Sequence, residues 1–588
     1  MMKKAAFVVL AVAVLAVVIG LRTSGSSTSS KADLSGFDWS TAGKIAVQSG
    51  GRVKPLDTFA RELVAQIYGK SAFEGEPPVQ TYFRWMADGD RWAKEPLIYL
   101  PKGELRTKMG LDSRKEKRFT LDELQNNRGL MDIGTEGQKK DQAGEKLTFT
   151  ESRASDLFNR MHNLNAVFTH EAPFYVPSDK NDPLATWLSM PTAMNTLDST
   201  AMAQMESDAP ISDTLQVLAL GFTGMYHAIG DGRADVFNTA AKIFAEAQRS
   251  MLRNQPETLS RLDWEIWFNR LDPFFWARIL LAAAFLFYLL SWRQGWDSLR
   301  KYGFAGLVFG LLSYSGGMAF RAYISGRAPW SNMYESLLAI GWAMLLISVI
   351  WSLIKHEKAI GMVASALGFA VLGIAQFASL DRGINPLVPA LQSYWLNYHV
   401  IIVLSSYACF AIAMGIGHAV LVTGVRTKGE MTPTLLGLTK TNLKTVQVGS
   451  LLLITGILLG ATWANVSWGR FWGWDPKETW ALICWFVYIV ILHGRSAGWL
   501  GWRGLAAYSV GAFPIVIMTY YGVNYYLSGL HSYGAGSSPG VPWQIFAYVV
   551  GEGVFLFWAL RKLRGTVPTR PKKRRPTRVT SVQTSEVS

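Results

Sequence analysis

The stretch Trp463–Trp480 reads WANVSWGRFWGWDPKETW. With Trp485 just beyond it, six tryptophans (463, 468, 472, 474, 480 and 485) fall within 23 residues, and Gly469, Gly473 and Pro476 interrupt regular structure between them. Apolar runs of helical length flank it, Val446–Ala461 before and Ala481–Leu492 after. An aromatic, glycine-rich segment between two such runs belongs at a membrane–water interface, where indole rings are favoured. A simple aromatic belt accounts for one or two of these tryptophans. It does not account for an indole-rich surface that also carries Arg470, Asp475, Lys477 and Glu478. A flat indole platform with polar edges suits a large planar ligand.

The rest of the chain agrees with a membrane setting. The sequence has 588 residues, 49% hydrophobic and 13% aromatic, with only 17% charged. That composition predicts an all-α polytopic membrane protein with one soluble, mixed and largely helical domain. The net charge of +15 does not point to nucleic acid. The basic residues of the membrane half cluster in WRQGWDSLRK (292–301), KHEK (355–358), 425–444, 493–503 and 561–575, which the positive-inside rule places in the cytoplasm. Cys409 and Cys484 are the two cysteines, both inside apolar runs. With no CxxC or CxxCH, the chain is neither a thiol–disulfide enzyme nor itself a c-type cytochrome.

Residues 1–21 hold two lysines and an apolar run, read as an uncleaved signal anchor or a cleaved signal peptide, the anchor being favoured. A Ser/Gly/Thr linker (22–31) leads to a polar domain, 32–272, expected on the periplasmic side. In it, Lys44–Val64 predicts a hairpin and then a helix from near Thr58. Arg52, Lys54 and Asp57 read as surface polar residues. Leu215–Tyr226 and Val236–Leu252 read as amphipathic helices. His162, His170 and His227 are scattered and read as structural.

The membrane domain, 273–562, predicts spans at 274–292, 303–320, 334–354, 359–379, 399–424, 446–464, 478–495, 504–526 and 542–561, about ten with the anchor. A basic tail, 563–588, reads as disordered and cytoplasmic. This alternation puts 321–333, 380–398, 465–477 and 527–541 on the periplasmic face.

The segment WGRFWGWDPKETW (Trp468–Trp480) resembles the tryptophan-rich "WWD" signature, WGxxWxWDxxE, of the haem-handling proteins of cytochrome c maturation. It is most similar to the CcsA/ResC branch of the system II cytochrome c synthetase, with CcmC and CcmF as more distant cousins. The segment GRVKPLDT (Gly51–Thr58) is similar to part of the periplasmic region of ResB/CcsB. The resemblance implies a protein of the bacterial inner membrane. It implies haem b as cargo, bound by Trp463, Trp468, Gly469, Trp472, Trp474, Asp475 and Glu478, and an apocytochrome c with a CxxCH segment as partner.

Ionisable residues inside spans are costly and functional by default. His399 lies where a periplasmic loop enters a span, and His531 lies in the loop after the ninth. Both flank the WWD segment, a geometry suited to bis-histidine ligation of haem iron. They match the two periplasmic histidines of CcsA. His493 is eighteen residues past Asp475, about 27 Å along a helix and near the cytoplasmic end. It matches the family's transmembrane haem histidine, whose partner comes from an early helix that has no counterpart here. A ResB/CcsB-like membrane subunit would supply it, or else His418, about 28 Å deeper than His399. His356 reads as a solvated loop residue.

Asp475 and Glu478 would orient the loop or a ligand histidine. Arg321 and Arg327 would meet haem propionates or lipid headgroups, and Glu335 would open a helix. The function expected is haem export and presentation for thioether attachment to CxxCH, as a component of a cytochrome c synthetase. The alternatives are a haem chaperone serving a separate carrier, or a b-type electron-transfer protein.

Overall fold

A hairpin, Ala46–Ser49 paired with Arg52–Pro55 in the register Val47 to Lys54, opens the first ordered region of the computed structural model. The structure describes residues 34, 36–143, 145, 147–179, 182, 185–196, 214–355, 357–378, 380–387, 393–527, 529–531 and 543–565. The expected anchor and linker, His356 and the tail beyond residue 565 lie outside these residues.

The hairpin feeds directly into the helix Leu56–Tyr68. Its residues Leu56, Phe59, Ala60, Leu63, Val64 and Ile67 recur at helical spacing and are buried, and Gly69 ends it in the left-handed conformation. The helix starts at Leu56 rather than Thr58 because Pro55, with its fixed φ, takes the N-cap position. Helices Phe149–Phe168, Thr214–Gly230 and Ala234–Met251 pack around the same core, which buries Tyr82, Phe83, Trp85, Phe119, Phe237 and Phe244. The two amphipathic segments thus fold as expected. Strand structure among the described residues is confined to three two-stranded ribbons.

Arg52, Lys54 and Asp57 are not the solvated residues expected. The helix Pro256–Leu271 lies over the hairpin and supplies partners to Arg52 and Asp57, while Lys54 turns to the helix Leu56–Tyr68. Arg52 holds Glu265 through two 2.7 Å bonds, Lys54 is 2% exposed and bonded to Glu62 at 2.6 Å, and Asp57 accepts from Arg61 and Asn269. This matters for the membrane half, because Asp272 caps the next helix, Pro273–Leu290, one residue on. The domain is riveted to the helix that leads into the membrane.

Nine helices among the described residues are long and apolar enough to cross a bilayer, the first extending through Pro273–Leu290. The others are Leu299–Ser325, Met333–Lys355, Lys358–Phe377, Tyr394–Arg426, Pro433–Trp468, Pro476–Ser496, the interrupted segment Trp502–Tyr526, and Trp543–Leu563. Several exceed the apolar runs that predict them, most of all Pro433–Trp468. Hydropathy marks only the stretch in hydrocarbon, whereas helical hydrogen bonding continues through polar ends such as Thr439, Thr441 and Asn442, buried against neighbours. The largest helix pairing joins Tyr394–Arg426 to Pro433–Trp468.

The first membrane helix begins at the soluble domain, so the connections after Ser325, Phe377, Trp468 and Tyr526 all fall on the domain's face. A charged cluster ties two of them together. Glu335, fully buried, accepts from Arg321 at 2.9 Å and from Arg327 at 2.7 Å. The same guanidinium groups donate to the carbonyls of Arg382 and Asn385. Arg321 and Arg327 are therefore committed within the protein, not to propionates or headgroups. Pro386 of this loop lies against Gly51 at the tip of the domain's hairpin.

Candidate functional site

The helix Pro433–Trp468 ends at Gly469, whose φ of +71° is the left-handed cap that few other residues adopt without strain. The chain then doubles back through Arg470–Trp474 and re-enters helix at Pro476. Asp475 caps that helix and Glu478 completes a capping box. Glu478 accepts from the amides of Gly473 (2.8 Å) and Asp475 (3.2 Å) and pairs with Arg470 at 3.3 Å. Two short sequence features, DPKE and the glycine before it, thus draw the loop tight. Trp474 takes a φ of +58°, unusual for a side chain of its size, and is 71% exposed.

The indoles do not form one flat platform. Trp463 sits a turn and a half back inside the helix, 1% exposed, and meets Trp468 at 63°. Trp472 and Trp474, beyond the reversal at Gly469, meet edge to face at 89°. The loop reversal separates an inner pair from an outer pair.

The inner pair is where the two histidines converge. His399 stacks on Trp463, with ring centroids 6.3 Å apart and planes within 9°. His531 lies edge-on to Trp463 at 5.5 Å and to Trp468 at 4.9 Å. His399 is in the second turn of Tyr394–Arg426 rather than at its border, and reaches across to the neighbouring helix. Gly460 makes this possible, because a Cβ there would stand 2.5 Å from His399 Cε1.

Both imidazoles are held by Nδ1. His399 Nδ1 is 2.7 Å from the Gly456 carbonyl, and His531 Nδ1 is 2.8 Å from Asp475 Oδ1. A carbonyl only accepts, so the His399 hydrogen resides on Nδ1. The Asp475 carboxyl is drawn in opposite directions. Burial raises its pKa, but the bonds from His531 and from the Lys477 and Leu530 amides prevail and bring it down to about 2. It is a carboxylate, an acceptor only, so His531 also carries hydrogen on Nδ1. In the neutral form of each ring Nε2 keeps its lone pair, and no partner for either Nε2 is present among the described residues. An imidazole oriented this way by a carboxylate or carbonyl is the usual form of a metal-ligating histidine.

The family model "Cytochrome C assembly protein" matches residues 330–531, a range that ends on His531. CcsA, a cytochrome c biogenesis protein of Synechococcus sp. (strain CC9605), is 34% identical over 298 residues, covering 45% of this chain and 98% of that protein. The chain belongs to the CcsA family of cytochrome c biogenesis proteins. CcsA of Synechococcus sp. (strain CC9311) is 35% identical over 304 residues, again 45% of this chain and 97% of the relative. Protein NrfI of Wolinella succinogenes is 29% identical over 521 residues, which is 84% of this chain. That alignment is longer than the membrane half and takes in much of the soluble domain. The chain spans 54% of NrfI's own length.

Two other histidines of this CcsA-family chain lie far from the indoles. His493 is near the opposite end of the unbroken helix Pro476–Ser496, exposed, with Nδ1 on the Ile489 carbonyl at 3.0 Å. His418 has both nitrogens engaged, Nδ1 with the Met414 carbonyl at 2.9 Å and Nε2 with Glu552 at 2.8 Å. The structure brings His399, His531, Trp463, Trp468 and Asp475 together, and leaves His493 and His418 at depth.

Reading the sequence missed the glycines that admit His399. Gly456 and Gly460 lie one turn apart inside an apolar run, the small-xxx-small spacing that lets membrane helices approach closely. That spacing was available as a signal.

Proposed function

We propose that this protein carries haem b across the bacterial inner membrane and presents it, on the periplasmic face, for attachment to an apocytochrome c. The observation that carries this reading is the pair His399 and His531. Both are fixed through Nδ1 with Nε2 open, and both are packed on Trp463 at the loop of the WWD segment. Two such nitrogens suit the axial positions of haem iron, and bis-histidine ligation shields the metal while leaving the porphyrin edge accessible.

His493, exposed at the far end of the Asp475 helix, would receive haem on the cytoplasmic side. Its partner ligand would come from a ResB/CcsB-like membrane subunit, since His418 is already bonded at both nitrogens. At the periplasmic face a CxxCH segment docks, and the soluble domain contributes to its reception. Each thioether forms by addition of a thiol S–H across a haem vinyl C=C, sulfur to one carbon and hydrogen to the other, with no external oxidant. The CxxCH histidine then displaces one protein ligand. The protein's own part is to position the reactants and control access, since the bond-making belongs to haem and thiol.

The test is the absorption spectrum of the purified protein beside His399→Ala and His531→Ala, with imidazole added back. A six-coordinate haem spectrum that weakens in each variant and recovers with imidazole supports the reading. Haem unchanged in both variants would sink it.

A further inference from the structure

Lys477 is the second residue of the helix Pro476–Ser496, where the helix dipole is positive and a cation is disfavoured. No carboxylate of the described residues offsets it within ion-pair distance. Asp475 is committed to His531, the Leu530 amide and the Lys477 amide itself. Glu478 is committed to Arg470 and two loop amides. The Lys477 ammonium instead lies over the Tyr520 ring, 6.0 Å from its centroid, and 3.4 Å from the Tyr520 carbonyl. That carbonyl already accepts a 2.7 Å bond from Asn524. Tyr520 sits in a π-turn, Met518–Gly522, a rare irregularity found mostly at functional sites.

Lys477 follows by two positions Asp475, the residue that holds His531. One donor beside the two histidines is unpaired among the described residues. Trp463 Nε1, on a ring 1% exposed, has no hydrogen-bond partner. A half-buried cation that no carboxylate of the described residues meets within ion-pair distance is arranged for an anionic acceptor that arrives with the ligand.

We propose that Lys477 is a specificity-determining residue that binds a haem propionate carboxylate while His399 and His531 hold the iron. The inference rests on the haem reading above and adds which edge of the porphyrin faces inward. The propionate edge is drawn toward Lys477, which turns the opposite, vinyl-bearing edge away from the Asp475 helix.

The experiment titrates ferric protoporphyrin IX and its dimethyl ester, whose carboxylates are masked, into the full chain in lipid nanodiscs. Wild type, Lys477→Met, Lys477→Arg and His531→Ala are compared by Soret absorbance. A charge-assisted bond of this kind corresponds to roughly a ten-fold change in Kd. Wild type should bind the acid about ten-fold more tightly than the ester, a result that needs no variant to fold. Lys477→Met should lose that preference, and Lys477→Arg should retain most of it. Equal binding of acid and ester by wild type, or equal losses for both in Lys477→Met, overturns the proposal while leaving the haem reading intact. Binding of both ligands unaffected by His531→Ala overturns the haem reading and this proposal with it.

Discussion

Asp475 bonds His531 at 2.8 Å while capping the helix that starts one residue later, so one carboxylate both builds the loop and aims the imidazole. The two roles separate in Asp475→Asn. Asparagine is as good an N-cap and its oxygen still accepts from Nδ1, but the charge that strengthens the ligand is lost. Haem affinity should fall about 10- to 100-fold, with a loss of thermal midpoint confined to the pH range in which the wild-type carboxylate is charged. A fall in midpoint with haem affinity unchanged would mean that Asp475 acts only as a cap.

The same residue predicts a pH dependence. Its carboxyl is held at about 2 in the folded protein against an ordinary 3.8, so its stabilisation is complete above about pH 4 and is lost as pH falls through 2. Thermal midpoints measured across that window should fall more steeply for wild type than for Asp475→Asn. Parallel curves would contradict this.

Gly460→Ala places a methyl where His399 lies. The ring has to leave its place beside Trp463, at a cost of about 1–3 kcal/mol typical of overpacking. The haem spectrum should shift from six- to five-coordinate and recover with imidazole, as for His399→Ala, although no ligand has been removed. A six-coordinate spectrum in this variant would show that His399 does not need its present seat.

Much of this arrangement could be read from the chain alone, and the part that could not has a physical reason. The membrane class, the order of the crossings and the WWD loop follow from apolar runs and punctuation, which are local. Asp475 and Glu478 as orienting groups were legible too, because a capping box is written in four consecutive residues. What escaped was pairing across the fold. Arg321 and Arg327 stand in a loop-rich, aromatic setting that suggests an external anion, yet their anion is Glu335, brought in by the following helix. Arg52 reads as solvated until Pro256–Leu271, some two hundred residues on, brings Glu265 to it. The separation of inner from outer indoles likewise depends on the single reversal at Gly469, which spacing alone does not resolve.

That cluster yields a stability prediction. Glu335→Gln leaves Arg321, 2% exposed, and Arg327 without their anion. Breaking one partner of a buried pair costs about 3–5 kcal/mol, whereas replacing all members with apolar groups costs far less. The thermal midpoint should drop sharply in Glu335→Gln and recover in part in the triple variant Arg321→Met, Arg327→Met, Glu335→Leu. Equal stability in all three proteins would mean that the cluster is solvated.

His418 separates two accounts of the deeper haem path. It lies nineteen residues beyond His399 on one helix, about 28 Å away. Its bond to Glu552 and its contact with Phe555, ring centroids 4.6 Å apart, hold the last helix, Trp543–Leu563, which is otherwise little buried. A residue so engaged is a fastener for that helix rather than an open ligand. His418→Ala should therefore lower the thermal midpoint by stranding Glu552 in the membrane interior. Haem bound at the WWD face should change by no more than about two-fold, as expected for sites that far apart. His493→Ala, by contrast, should reduce the haem that co-purifies without changing the midpoint. If His418→Ala instead removes haem as His493→Ala does, and imidazole restores it, the two histidines form one site and no second subunit is needed to complete it.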